Sequence, residues 1–358
     1  MGGRAWRVPL GQEDKFDLGC ERLDAGHAAL LALAEEVGVG TWAAEGWPEP
    51  EPVLEGEELA LFRALGDEIR SLAARVDPLR PLDLEGAAAL DRHTLGGWLE
   101  AQGASQRVLA AAEISYGVAS ASVPISAMSL LAFAAKQAAG AAPHGLRLRF
   151  RGGPAALAER LSGDVRLGAH VVGLEQDATG VNVVLGDGTS LRCVRAVVAV
   201  PLTLQREIGF EPPLPPHRRL ALERARYGDV VKAGLLFEEP WWEPGFVSVS
   251  ASGIVYEPAP GRPVLGVFAG ADAARRPVLK AVGPVPDAFV AADWTAERFS
   301  RGSYLIFGPG DLTEWGRRLA EPHGRIHFAG AETSDLPSYM EGAVRAGERV
   351  AREVAAAA

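Results

Sequence analysis

The sequence predicts an α/β protein, and three stretches carry that expectation. The first is residues 324–354, GRIHFAGAETSDLPSYMEGAVRAGERVAREV. Arg325–Ala329 reads as a short buried strand, Gly330 allows a sharp exit, and Ser338 or Tyr339 can open a helix. Apolar residues then recur at Met340, Ala343, Val344, Gly347, Val350 and Val354, which is helical spacing. The second stretch, Arg195–Val200, is an apolar run ending at Pro201 and reads as a buried parallel strand. The third is a hairpin, with Asp187-Gly188 as the turn between Val181–Leu185 and Ser190–Val194. On spacing alone, residues 324–354 are the last strand–helix unit of any α/β protein. A strand, a glycine turn and a helix N-terminus also make a place for something anionic or electron-rich.

Composition narrows the function. At 358 residues the chain can build one large core or two domains. Hydrophobic residues make up 48% and charged residues 23%, which argues against disorder. The formal net charge is -10 and no Lys/Arg run offers a phosphate footprint, so nucleic acid is not an expected partner. Cys20 and Cys193 give neither a disulfide framework nor a CxxC, and a cytoplasmic location fits them. Met1 leads straight into GGRAWRVPLGQ without an apolar signal region, and runs such as Ser129–Ala135 are too short to span a bilayer. No membrane association is expected. The seven histidines form no metal-like cluster, and His323 and His327 read as surface or packing residues.

Taken in order, Asp24 is expected to cap a helix to about Val37, with Leu30, Leu31, Ala34 and Val37 on one face. Glu45–Glu58, rich in Pro and Glu, reads as a linker. Helical spacing follows over Leu59–Val76, Thr94–Glu100 and Val108–Ile114, and Ser126 is expected to cap an Ala-rich helix to about Ala138. Val165–Leu167 and His170–Leu174 read as strands, as do Val230–Phe237, Val264–Phe268 and Asp287–Asp293; Gly270–Gly283 has helical character. Lys232 stands out, because it lies among Val230, Val231, Ala233 and Leu235. A lysine in such a strand more often faces the surface or snorkels.

The letters add to the spacing. FAGAETSDLPSYMEGAVRAGERVA resembles the C-terminal signature of the flavin-containing amine oxidases, the monoamine oxidase family. In that family this unit lies under the flavin, which brings in Gly330, Ala331, Glu332 and Met340. Gly2-Gly3-Arg4 resembles the GGR segment against the FAD pyrophosphate. The family places a GxGxxG βαβ unit before that segment. No such motif stands in this sequence, and a misassigned start codon is the expected reason. Phe16-Asp17-Leu18-Gly19 resembles a D-x-G-G strand end, with Cys20 at the second glycine. RGGPAALAERL from Arg151 resembles a GG helix entry, and the block that follows implies that the backbone of Val171 meets the adenine. YGDVVKAGLLFEEPWW resembles the strand whose lysine, here Lys232, holds a water against flavin N5. Trp294 with Gly302-Ser303-Tyr304 resembles the W…G-x-Y segment. Some members attach FAD through a cysteine at the position of Ser303, so non-covalent FAD is implied here.

The resemblance implies an α/β fold of two interleaved parts, with the first βαβ unit missing. The FAD-binding domain would take 1–44, 145–201 and 293–358. The substrate domain, a mixed sheet plus helices, would take 45–144 and 202–292. Tyr304 and Tyr339 would flank the amine in a dry slot that favours its neutral form. The implied reaction oxidises a primary or secondary amine to an imine, then an aldehyde, by hydride transfer to flavin N5, with O2 reduced to H2O2. The catalytic residues would be Lys232, Tyr304 and Tyr339. The implied partners are the amine and O2, with a homodimer as a possible assembly. Two alternatives stand beside this: a related FAD oxidoreductase or desaturase on a non-amine substrate, and a truncated, non-catalytic remnant.

Overall fold

The computed structural model describes residues 2–12, 14–44, 53–118, 123–140, 147–161, 163–250, 253–270 and 283–357. Its helices and sheets form an α/β architecture in which distant parts of the chain share layers. The parallel pair expected from the sequence joins Ala196–Val198 to Ile326–Phe328, with Val197 opposite His327. Leu174, Val181, Val198, Ile326 and Phe328 form one core, which ties this pair to a four-stranded sheet. That sheet runs Gly209–Glu211, Val171–Gln176, Val181–Leu185, Ser190–Cys193, and the Asp187-Gly188 hairpin is as expected.

The run at Arg195–Val200 is less buried than its letters suggest. Only Ala196–Val198 is strand; Val198 is 6% exposed and Val197 49%. Successive strand residues point to opposite faces, and only the Val198 face packs.

The second sheet is antiparallel, in the order Val247–Ser250, Gly253–Tyr256, Val264–Gly270, Val230–Leu236, Ala288–Asp293. Val230–Leu236 lies inside it, so Lys232 is paired on both sides, opposite Phe268 and Ala292. The hairpin Arg7–Leu10 with Asp14–Asp17 packs Leu10 and Phe16 against Val230, Val264 and Trp294. The helical block contains Gly56–Arg75, Leu95–Ala101, Gln106–Ala112 and Leu130–Gly140. Leu65, Ile69, Leu99, Val108 and Phe133 fill its core, and Tyr304 packs on that core. The block is thereby fixed to the segment that carries the predicted site.

Several local expectations are corrected. Asp24 does not cap the helix Ala28–Glu36: it lies in the strand Leu23–Asp24 and pairs with Arg147. The cap comes from the other end of the chain, where Glu341 accepts from Ala29 N at 3.2 Å and Leu30 N at 2.8 Å. A carboxylate there satisfies free N–H groups and meets the positive end of the helix dipole. The Ala-rich helix is Leu130–Gly140, and Ser129 rather than Ser126 caps it, accepting from Ala132 N at 3.2 Å. Residues 165–167 are not strand. The expected linker ends earlier, since the helix begins at Gly56; its residues 45–52 lie outside the described residues, as do 271–282 of the stretch Gly270–Gly283.

The C-terminal strand and helix are Ile326–Phe328 and Met340–Ala356. Gly342 makes their connection possible: a Cβ there would lie 2.2 Å from the Leu336 carbonyl oxygen and 2.3 Å from Ser334 Oγ. The turn folds directly onto the first helical turn because nothing projects at 342.

Candidate functional site

A cavity of about 2040 Å³ is lined by residues from both ends of the chain and from its middle. One wall is the C-terminal helix, which presents Met340, Ala343, Val344 and Gly347. These fall on one face at helical spacing, and none of the four carries a charge. The N-terminus of this helix, with no side-chain cap, also reaches the cavity through Ser338 and Tyr339. Gly2, Gly3 and Arg4 line another side, as do Gly330 and Ala331, and Lys232, Trp294 and Tyr304 complete the predicted lining.

Two predicted residues do not line it. Glu332 stands just behind the wall, where its Oε1 lies 2.7 Å from Arg4 Nη2 and accepts from the Tyr227 hydroxyl at 2.8 Å. Arg4 also donates to the Ser303 carbonyl at 2.9 Å. The ends of the chain are thus clamped together around the segment carrying Tyr304. Val171 lies away from the cavity, in the strand Val171–Gln176 opposite Leu185.

Lys232 is 4% exposed. Its Nζ donates to the Gly19 carbonyl at 2.8 Å and to Glu21 Oε2 at 2.5 Å. Glu21 also accepts from Arg149 Nη2 at 2.5 Å and from the Tyr256 hydroxyl at 2.6 Å. Burial alone would raise the Glu21 pKa, but Arg149 and then Lys232 outweigh it and hold the carboxyl at about 2. A buried ammonium needs such a partner, since an isolated one is costly. Gly19 permits the approach: a Cβ there would sit 1.9 Å from the Arg4 carbonyl oxygen, while Gly19 N–H donates to Trp6 O at 3.1 Å. The GGR segment and the strand end therefore run backbone against backbone.

Trp294 is fixed by its indole N–H, which donates to the Leu18 carbonyl at 2.9 Å. Tyr339 meets His27 edge to face, with ring centroids 5.3 Å apart. Burial, and secondarily the nearby Asp24, pushes the Tyr339 phenol up to about 12. Burial, then the Tyr339 phenol, pushes Tyr304 well above the usual range. Both phenols therefore stay protonated at any working pH and offer neutral π-faces.

Residues that the sequence reasoning did not single out complete the site. Glu21 holds Lys232 and is itself held by Arg149 and the Tyr256 hydroxyl, and Lys136 lies with its Nζ 5.0 Å from the centre of the Tyr304 ring. One signal was available. Arg147 and Arg149 alternate in RLRF, so on a strand they share a face, and two acids, Glu21 and Asp24, lie on the neighbouring segment to meet them. Lys136 gives no comparable signal within its helix. Among the described residues no group of His, Cys, Asp and Glu could hold a metal, and no helix is long and apolar enough to cross a membrane.

The family described as flavin containing amine oxidoreductase matches residues 1–355. The chain belongs to this family. A probable flavin-containing monoamine oxidase A of Dictyostelium discoideum is 28% identical over 413 aligned positions, covering 99% of this chain and 90% of that one. The flavin-containing amine oxidase B of Homo sapiens is 32% identical over 249 positions, covering 59% of this chain and 47% of that protein. Among solved structures, a double mutant of putrescine oxidase superposes with a TM-score of 0.86 at 24% identity, covering 99% of this chain and 91% of that one. At that identity the likeness speaks to fold alone. Cyclohexylamine oxidase from Brevibacterium oxydans IH-35A gives a TM-score of 0.80 at 25% identity, with 99% and 91% coverage.

Membership makes FAD the cofactor and amine oxidation the chemistry of this oxidoreductase. The residues present fit FAD. The cavity has the room, Met340, Ala343, Val344 and Gly347 give it an uncharged wall, and the helix N-terminus, without a side-chain cap, can offer N–H groups to an electron-rich edge. Gly2, at φ 102, and Gly330, at φ 96, adopt backbone conformations that side-chain-bearing residues rarely take, so backbone reaches the cavity at both points.

Proposed function

We propose that the chain oxidises a primary or secondary amine to an imine, which hydrolyses to an aldehyde, while O2 is reduced to H2O2. The observation that carries this reading is the convergence of Lys232, Tyr304 and Tyr339 on one cavity with Gly2–Arg4 and the C-terminal helix. Bound FAD supplies the electron-accepting chemistry. The remaining work falls to the chain.

Tyr304 and Tyr339 form the walls of an amine slot. Their neutral rings exclude water and so favour the uncharged amine, whose lone pair the reaction needs. Lys232 has three N–H donors, and Gly19 and Glu21 engage two of them. The third is left for a water at the reacting centre. Glu21 balances the charge of Lys232, so the lysine acts there as a fixed donor. Arg4, through Ser303 and Glu332, positions the segment that carries Tyr304.

Ser303 stands where covalent members of the resembling family carry a cysteine, which supports FAD held without a covalent bond. We assign residues 1–44, 145–201 and 293–358 to the FAD-binding part, and 45–144 and 202–292 to the substrate part. A cytoplasmic site of action is in keeping with two unpaired cysteines.

The test is the visible spectrum of the purified chain followed by a peroxide assay across an amine panel. Flavin bands that co-elute with the protein, leave with acid precipitation, and bleach anaerobically with an amine are expected. Peroxide should then form in step with aldehyde. Flavin that no amine reduces would overturn the reading.

A further inference from the structure

Lys136 is a charged group at the cavity that the proposed chemistry leaves unused. It sits on the helix Leu130–Gly140 and lines the cavity. Its ammonium stands 5.0 Å from the centre of the Tyr304 ring, one of the two proposed walls of the amine slot. Among the described residues no carboxylate faces it. Of the acids that line the cavity, Glu21 is taken by Lys232 and Arg149, and Asp24 by Arg147 and His27. Glu36 and Glu348 are exposed residues of two other helices. Lys136 is half-buried where it lines the cavity, and burial alone draws its pKa down to about 8. A charge kept there against desolvation, with only a π-face beside it, acts on whatever occupies the cavity.

We infer that Lys136 selects amines by their second functional group, favouring one that carries a carboxylate and rejecting one that carries a second ammonium. The inference rests on the proposed amine oxidation and names its substrate class. The reasoning is electrostatic. A carboxylate on the substrate gives Lys136 its missing partner in a low-dielectric site, where a charge-assisted hydrogen bond counts for more than in water. A second ammonium in the same space meets a like charge with no solvent to screen it. A plain alkylamine is expected to fall between the two.

Three probes of equal chain length separate these cases: ε-aminocaproate, hexylamine and hexamethylenediamine. Their binding to the full chain is measured by calorimetry, and their oxidation by peroxide release, for the native protein and for Lys136→Met. Methionine keeps the length and bulk of the side chain and removes the charge. The native chain should bind ε-aminocaproate roughly 10- to 100-fold more tightly than the diamine. Lys136→Met should close that gap, with hexylamine little changed, and in turnover the difference should fall on KM more than on kcat. Equal affinities for the three, tighter binding of the diamine, or a preference that survives Lys136→Met would overturn the inference. Carboxylate-dependent binding with no peroxide from any probe would support Lys136 as a selector while removing the oxidase reading. Hexylamine turnover without a carboxylate preference would do the reverse.

Discussion

Lys232 Nζ and Glu21 Oε2 lie 2.5 Å apart, in a cluster that also engages Arg149 and the Tyr256 hydroxyl. Glu21 is 8% exposed and Lys232 4%, so neither charge can turn to bulk water. Removing one partner strands the others. Glu21→Gln should destabilise the chain by about 3–5 kcal/mol, the cost of leaving a buried charge uncompensated. Denaturant unfolding checks it. Adding Lys232→Met should recover part of the loss, because the two changes share one interaction; strictly additive effects would mean that the pair is not coupled.

The same carboxyl predicts a pH dependence. Its folded pKa, about 2, lies below the 4.5 of an ordinary glutamate carboxyl. The contribution of Glu21 is therefore complete above about pH 4.5 and drains as the pH falls towards 2. Unfolding free energy followed from neutral pH downward should drop faster in the native chain than in Glu21→Gln over that window. Parallel curves would show that Glu21 titrates normally in the fold.

Tyr304 and Tyr339 should separate catalysis from cofactor retention. Each Tyr→Ala change is expected to cut kcat/KM about tenfold or more while flavin content per chain changes little. Turnover that is unchanged in both variants would remove the aromatic slot from the proposed mechanism.

Gly342 and Gly347 lie on one helix and should respond differently to alanine. At 342 the added Cβ meets the Leu336 carbonyl oxygen at 2.2 Å, so Gly342→Ala should cost about 1–3 kcal/mol and lower flavin content, because the turn must move off the helix. At 347 nothing lies within 4 Å and the residue faces the cavity. Gly347→Ala should stabilise the flavin-free chain by up to about 1 kcal/mol, the helix preference for alanine, while weakening flavin binding at that wall. Thermal unfolding with and without added FAD reads both.

Glu341 joins the two ends of the chain by capping the helix Ala28–Glu36. Glu341→Ala should cost about 1–2 kcal/mol from the lost cap, and it also frees Arg345, whose Nε donates to Glu341 Oε1 at 2.7 Å. Hydrogen exchange in residues 28–31 should rise more than in the helix Gly56–Arg75.

Much of the fold was legible because its signals are local. The strand at 326–328, its glycine exit and the helix at 340 follow from spacing. The hairpin around Asp187-Gly188 follows from its turn residues, and the helices near 59–76 and 95–101 from their apolar stripes. The corrections occur where a side chain's partner is far away in sequence. Asp24 looked like a cap because acids near a helix start usually are; it pairs with Arg147 instead, and a glutamate from the last helix takes its place. Arg195–Val200 looked buried because it is apolar, but only one face is covered.

The sequence by itself determined the class of fold, the family, and the residues whose identity is tied to backbone shape or to a dense local pattern: the glycines at 2, 3 and 330, the anomalous lysine at 232, and the tyrosines at 304 and 339. Periodicity and turn chemistry act over a few residues and can be read in one dimension. The tertiary structure alone decided that Glu21 gathers Lys232, Arg149 and Tyr256 around it, that Glu341 caps a helix some 310 residues earlier, and that Lys136 faces the cavity with no acid opposite it among the described residues. The reason is that charge pairing in a low-dielectric interior depends on distance in space. That distance is set only when sheets and helices from separate parts of the chain have closed around a common cavity.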